Sequence, residues 1–258
     1  TSRTSGTANS LVGIIYGYNT FVTVGGSGTI LTSTDGVTWT SRTSGTELSL
    51  QEITYAKGTF VAVGQSGTIL TSSDGTTWTE QTSGTTNWLI GVNYGNDRFV
   101  AVGSTGTILT SQDGTSWNSS NSGTSGIDLR GVSFGNNTFV IVGGNGTILT
   151  SNHGDDWSSR TSGITQHFSR VTRGNKNFVA VGLSGKIVTA PDGILDNNDH
   201  SIGIETNEAS LTINGNLTLQ DNATVSSHTG EVALGELDIE SGMVSIGGET
   251  TLNLAGGN

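Results

Sequence analysis

The most regular polar feature of this chain is a turn followed by a tryptophan. It occurs as Asp35-Gly36…Trp39, Asp74-Gly75…Trp78, Asp113-Gly114…Trp117 and His153-Gly154…Trp157. A carboxylate beside an aromatic ring is a starting point for acid–base chemistry, but a catalytic group is needed once and these recur unit after unit. The structural role accounts for all of them: Asp accepts backbone N–H bonds at a turn, Gly takes the positive φ, and Trp packs between sheets. His153, standing where the others carry Asp, reads as a tolerated turn residue and not as a ligand.

Glycoside hydrolysis needs two positioned carboxylates, or a tyrosine nucleophile with clustered arginines. Of the four tyrosines, Tyr16, Tyr55 and Tyr94 fall in apolar strand segments and read as core, and Tyr18 lies in a loop. Arg3, Arg42 and Arg160 share one repeat position, so they are expected around the molecule and not at one point. No phosphate-cradling loop, His-x-x-x-His pair or Ser/His/Asp set stands out. Asp196-Asn197-Asn198-Asp199 offers oxygens that suit calcium but lacks the full loop pattern, and a polar interdomain turn is the better reading. The sequence therefore implies no catalytic residue, metal or cofactor.

Binding fits the residues better. Between the tryptophan strand of one unit and the next unit runs a short link that changes while its surroundings do not: Ala8-Asn9-Ser10, Glu47-Leu48-Ser49, Thr86-Asn87-Trp88, Ile127-Asp128 and Gln166-His167-Phe168. Trp88 is the one tryptophan outside the repeat position. An aromatic near Asn9, Glu47, Asn87, Asp128, Gln166 and His167 suits a sugar, through stacking and hydrogen bonds. The competing expectation is that Trp88 packs under a neighbouring unit.

The elements that must carry these links come from one phrase, Phe-Val-x-Val-Gly-x-x-Gly-x-Ile-(Leu/Val)-Thr, which starts at Phe21, Phe60, Phe99, Phe139 and Phe178. Its offsets of 39, 39, 40 and 39 residues mark supersecondary units that bury their apolar faces against one another. Each unit reads as four strands. An apolar run such as Leu89 to Tyr94 comes first, then Phe-Val-x-Val, then Thr-Ile-Leu-Thr-Ser, and the fourth begins at the tryptophan, with glycine turns between. In such an array the links share one face with the Gly-x-x-Gly turns. Four-stranded units of about 40 residues are propeller blades. Residues 1 to 7, Thr-Ser-Arg-Thr-Ser-Gly-Thr, repeat at 40 to 46, directly after Trp39. The N-terminus thus supplies the fourth strand that the fifth unit lacks, and the expected architecture is an all-β propeller of five four-stranded blades closed by residues 1 to 6. The chain starts in mid-phrase and reads as a fragment or a processed chain.

Composition agrees with that class. The 258 residues include 40 glycines, one proline and no cysteine, so no disulfide or thiolate metal site forms. No apolar run approaches the roughly 20 residues that span a bilayer, and membrane insertion is not expected. The net charge of −11 is uneven. Residues 1 to 193 hold all 10 Lys and Arg against 11 acids, a net of −1, while residues 194 to 258 hold 10 acids and no Lys or Arg. That step divides the chain into a propeller, 1–193, and an acidic β-rich segment, 194–258. Acidity also argues against a nucleic-acid partner, which needs clustered Lys and Arg.

The turn Ser33-Thr34-Asp35-Gly36-Val37-Thr38-Trp39 and its copies resemble the Asp-box of the bacterial-neuraminidase repeat, although the usual motif has a residue between Asp and Gly. The phrase Phe-Val-Ala-Val-Gly-x-x-Gly-Thr-Ile-Leu-Thr-Ser-x-Asp-Gly is similar to blades of photosystem II stability/assembly-factor-like propellers, over residues 1 to 193. That resemblance implies a propeller and a role in binding protein partners, but the family's partner-binding arginines have no clear counterpart here. Beyond it, the runs at 211–219, 232–234, 237–239, 244–246 and 252–254 alternate apolar and polar residues and read as short strands. Without aromatics they make a thin core for a lone domain. The stretch from Leu211 to Val225 resembles shaft segments of bacteriophage tail fibres, which are commonly trimeric.

Taken together, the residues lead to a non-enzymatic recognition protein. It is expected as the receptor- or glycan-binding head of a viral or extracellular fibre, self-associating through its C-terminal segment as a trimer. The alternative is a protein-binding assembly factor, and glycoside hydrolysis is a distant third.

Overall fold

The computed structural model describes residues 1–191, 210–219, 231–239 and 252–254. The chain divides into two compact units, Thr1–Ala190 and Pro191–Asn258.

In the first unit every copy of the phrase makes the same sheet. The first blade is β1 (Leu11–Gly17), β2 (Thr20–Gly25), β3 (Ile30–Ser33) and β4 (Thr40–Arg42). The second is β5 (Leu50–Ala56), β6 (Thr59–Gly64), β7 (Ile69–Ser72) and β8 (Thr79–Gln81). The third is β9 (Leu89–Gly95), β10 (Arg98–Gly103), β11 (Ile108–Ser111) and β12 (Asn118–Ser120), and the fourth is β13 (Leu129–Gly135), β14 (Thr138–Gly143), β15 (Ile148–Ser151) and β16 (Ser158–Arg160). Each is an up-and-down antiparallel sheet in chain order. The fifth contains β17 (Phe168–Gly174), β18 (Asn177–Gly182) and β19 (Ile187–Pro191) and is three-stranded.

The first strand of each blade packs on the first strand of the next, so these strands line the axis. Strands one and two meet in two-residue turns with both central residues at positive φ, as at Asn96 (44°) and Asp97 (57°). That twist matches the twist of the strands. Gly64 shows why strand two ends in glycine: a Cβ there would overlap the Ser49 carbonyl oxygen, which accepts the Gln65 N–H at 2.8 Å.

The core lies between blades. Val22, Val24 and Ile30 of the first blade bury against Leu50, Ile53, Phe60, Ala62 and Leu70 of the second, with Tyr55 and Trp78 beside them. Val61, Val63 and Ile69 repeat this against Leu89, Val92, Phe99 and Leu109, and Val100, Val102 and Ile108 against Leu129, Val132, Phe139 and Leu149. Burying each of these side chains contributes about 1.5–3 kcal/mol. No blade could bury its faces alone.

Three details differ from the sequence reading. The fourth strands start after the tryptophan, at Thr79 for Trp78, because Trp78 Nε1 donates to the Gly75 carbonyl at 3.1 Å and the residue belongs to the turn. Residues 1 to 6 carry no strand and take no part in the fifth sheet. Tyr16, expected in the core, is 54% exposed, whereas Tyr55 is packed into the core between the first two blades. The cause is position: among the described residues no blade lies against the front of the first one.

In the second unit, β20 (Ser210–Leu219), β21 (Glu231–Ile239) and β22 (Leu252–Leu254) form a parallel sheet in chain order. Leu211 pairs with Val232, and Val232 with Leu252. The expected strand at 244–246 and the Asp196–Asp199 run lie outside the described residues.

Candidate interaction face

The Asp-Gly turns are built as the residue types dictate. Asp35 Oδ1 accepts the Val37 and Thr38 N–H groups at 2.7 and 2.8 Å and the Ser33 hydroxyl at 2.9 Å. These bonds, led by that of Thr38, lower the Asp35 pKa to about 2. Asp74 and Asp113 are lowered in the same way, Asp74 chiefly by the Thr76 hydroxyl and Asp113 chiefly by the Ser116 amide. Carboxylates held this firmly ionised are turn ligands and poor general acids. At His153 the turn keeps the Ser151 hydroxyl accepting from Gly154 N–H at 2.8 Å, while the imidazole meets Asn96 Nδ2 at 2.9 Å. The neighbouring Asp155 pairs with Arg98.

The repeat-position arginines stay apart, as the spacing implied. Arg42 Nε donates to Thr32 at 2.8 Å and Arg160 Nε to Thr150 at 2.9 Å, each within its own blade. Near the axis a different charged set was not singled out from sequence. Glu52 and Arg170 are 3.7 Å apart, from the inner strands of the second and fifth blades, and Arg170 also donates to the Arg130 carbonyl at 3.2 Å. Burial pushes the Glu52 pKa up against the lowering effects of the Ile53 N–H and Arg170. The sequence signal was available: the inner-strand position read as Gly13, Glu52, Gly91, Gly131 and Arg170 holds two opposite charges among three glycines.

The links and the Gly-x-x-Gly turns do share one face. Asn9 Nδ2 donates to Thr29 at 2.8 Å, and Asn87 Nδ2 donates to Thr105 and Thr107, both at 2.8 Å. Thr105 N–H donates to Asp128 Oδ1 at 3.3 Å, whose other oxygen is 3.5 Å from Arg130. Asn145 N–H donates to His167 Nδ1 at 3.3 Å. Asn87, Thr105 and Asp128 thus come together, and Trp88 joins them through its carbonyl, which accepts Ser104 N–H at 2.8 Å. Asn9 and Glu47 line a separate cleft of about 580 Å³ beside the first blade. Gln166 is half-buried beside His167. Trp88 is 43% exposed, so it does not disappear beneath a neighbouring blade. Among the described residues, no three His, Cys, Asp or Glu side chains gather in a metal-binding group, and no helix is long and apolar enough to cross a membrane.

With this geometry in place, comparison with known proteins bears on the class. Residues 14–126 match the family model described as the DUF6242 beta propeller domain. Among solved structures, YCF48 from Cyanidioschyzon merolae is similar at a TM-score of 0.57 and 15% identity, over 72% of this chain and 70% of that one. A structure of YCF48 bound to D1 peptide gives 0.56 and 18%, over 71% and 64%. Virginiamycin B lyase from Staphylococcus aureus gives 0.63 and 12%, over 74% and 72%. No curated protein matches by sequence. The fold is an all-β propeller similar to that of YCF48. At these identities the likeness extends to fold alone, and the neighbours include both a lyase and a peptide-bound protein.

Proposed function

We propose that this chain is a non-enzymatic recognition propeller that binds a protein partner through the face carrying the links and the Gly-x-x-Gly turns. Trp88, exposed on a hydrogen-bonded frame, carries this reading. Rigid aromatic anchors on preorganised surfaces give much contact area for little entropy loss. The polar groups nearest Trp88 that would hold sugar hydroxyls are already engaged. Asn87 donates twice to threonines, and Asp128 serves the Thr105 amide and Arg130. That favours a peptide segment laid across Trp88 over the glycan suggested by residue types. The peptide-bound neighbour offers a precedent for this use of the fold.

Catalysis finds little support. The lowered aspartates are committed to turns, and Glu52, the one acid among the described residues raised above its usual range, faces Arg170. The test is a paired screen of the full chain on a peptide array and a glycan array, with Trp88→Ala in parallel. Peptide binding that the variant loses supports the proposal; glycan binding alone, or binding indifferent to Trp88, sinks it.

A second reading is favoured by one observation, the parallel sheet of β20, β21 and β22 in chain order. Successive parallel strands with connections of about a dozen residues suit the shaft of a fibre. In this reading the propeller is the head of a viral or extracellular fibre, the receptor is a cell-surface protein or glycan, and the C-terminal segment trimerises. A solution mass of three chains, lost on deletion of residues 194–258, would support it.

A further inference from the structure

The first strand of a blade packs against the Gly-x-x-Gly turn of the blade before it. β9 lies on the turn Gln65–Gly67, β13 on Ser104–Gly106 and β17 on Gly144–Gly146. The residues that lead into these three strands are Trp88, Asp128 and His167. The middle residue of each turn is left-handed in every copy, with Ser66 at φ 56°, Thr105 at 57° and Asn145 at 53°. Equal backbone geometry aims the three amides alike, toward the residue that leads into the next blade.

Two of those amides are capped from the next blade. Thr105 N–H donates to Asp128 Oδ1 and Asn145 N–H to His167 Nδ1, both at 3.3 Å. At Ser66 the capping position is Trp88, whose indole N–H donates and accepts nothing. Ser66 is exposed, and neither its amide nor its hydroxyl has a partner among the described residues. Trp78, Trp117 and Trp157 each spend Nε1 on a protein oxygen, but Trp88 Nε1 has no partner among the described residues. An aromatic residue 43% exposed therefore stands with three donors that lack an acceptor. The junction of the first and second blades does not reproduce this, because Ser49 takes the place of Trp88 and brings no aromatic surface.

We propose that the partner supplies the missing acceptor: the seat takes an Asp or Glu side chain of a peptide segment whose neighbouring apolar residues lie on Trp88. This rests on the recognition reading above and adds the chemistry that the face selects. Asp128 shows, within the molecule, that a carboxylate from a neighbouring segment fits this amide. A charged acceptor binds an N–H more strongly than a neutral one, so the seat favours Asp and Glu over Asn and Gln. The net charge of −11 does not stand against an acidic partner, because residues 1 to 193 hold 10 Lys and Arg against 11 acids. The remaining acids lie beyond them.

The test takes the full chain to a peptide array, then to copies of each bound peptide with Asp and Glu replaced one at a time by Asn and Gln. The expected result is one shared acid whose replacement weakens binding about tenfold or more. In isotope-labelled wild type the unaltered peptide should move the Ser66 amide proton downfield and slow its exchange. Trp88→Asp should supply the acceptor from within, giving the same signature at Ser66 without peptide and no peptide binding. Trp88→Ala should also lose the peptides but leave that amide unprotected. Peptides that bind through Trp88 with no shared acid and no change at Ser66 overturn the seat and leave the recognition reading standing. No Trp88-dependent peptide at all overturns both. Capture of sialylated or uronate-bearing glycans in place of peptides overturns the peptide as the source of the carboxylate.

Discussion

Tyr16 and Tyr55 hold the same position in consecutive blades, yet the Tyr55 ring lies on Gly17 while Tyr16 is 54% exposed. Identical local sequence therefore meets two environments, and the difference is the blade in front. Apolar residues on strand one are core residues only when that blade is present. The stability of the array is a sum of such junctions, as expected for repeat architectures.

The first consequence concerns the core. Phe60 and Phe139 are fully buried, each between a strand-one aromatic and the turn tryptophan, with Phe60 4.4 Å from Tyr55 and 6.2 Å from Trp78 by ring centroids. Phe60→Ala should cost about 3–5 kcal/mol by loss of contacts and cavity formation. Tyr16→Ala, removing an exposed ring, should stay within about 0.5 kcal/mol at dilute concentration. Urea denaturation of both variants makes the comparison.

Acid sensitivity follows from the turns. Asp35, Asp74 and Asp113 are lowered in the folded state, Asp35 to about 2, against an unfolded value near 3.9. Their contribution is present above about pH 4 and is lost as pH falls through the folded values toward 2 and below. The contribution of these turns to the denaturation midpoint should be flat from pH 7 to about 5 and fall below 4. The triple Asp→Asn variant should begin less stable and show a shallower acid slope.

Glu52 runs the other way. Its folded pKa is raised, mainly by burial, so ionisation weighs against the fold at neutral pH and the penalty disappears as pH falls through that raised value. Glu52→Gln should be at least as stable as wild type at pH 7, despite losing the contact with Arg170 at 3.7 Å. The difference should vanish near pH 4. A marked loss of stability at pH 7 would mean that the ion pair outweighs the desolvation.

Hairpin chemistry gives a stabilising change. Lys176 follows Asn175 at φ 61° in the turn between β17 and β18, a left-handed conformation that side chains with a Cβ resist. The equivalent turn of the second blade has Gly58 there, at φ 75°. Lys176→Gly should stabilise by up to about 1 kcal/mol, visible as a higher urea midpoint.

Periodicity made the blades legible. Each copy of Phe-Val-x-Val-Gly-x-x-Gly-x-Ile specifies a strand, a tight turn and another strand, and the spacing of the copies requires stacked units. The face of the links was legible too, because a strand-four-to-strand-one link must lie beside the strand-two-to-strand-three turn. What the links do was less so. Asn87, Asp128 and His167 are variable and polar, which suggested ligand contacts, but their partners are threonine hydroxyls and turn amides that sequence spacing does not bring together. The Glu52–Arg170 contact was missed because it joins residues 118 positions apart across the axis. Tyr16 was misplaced because a strand pattern reports which side is apolar, not whether a partner stands opposite.

The most direct measurement for the recognition reading is peptide-array binding by wild type and by Trp88→Ala, with unfolding midpoints checked for equality. The account predicts that wild type selects a family of peptides and that Trp88→Ala loses them by at least tenfold in affinity with no change in stability. Equal binding by the two proteins, or no peptide bound by either, would contradict it.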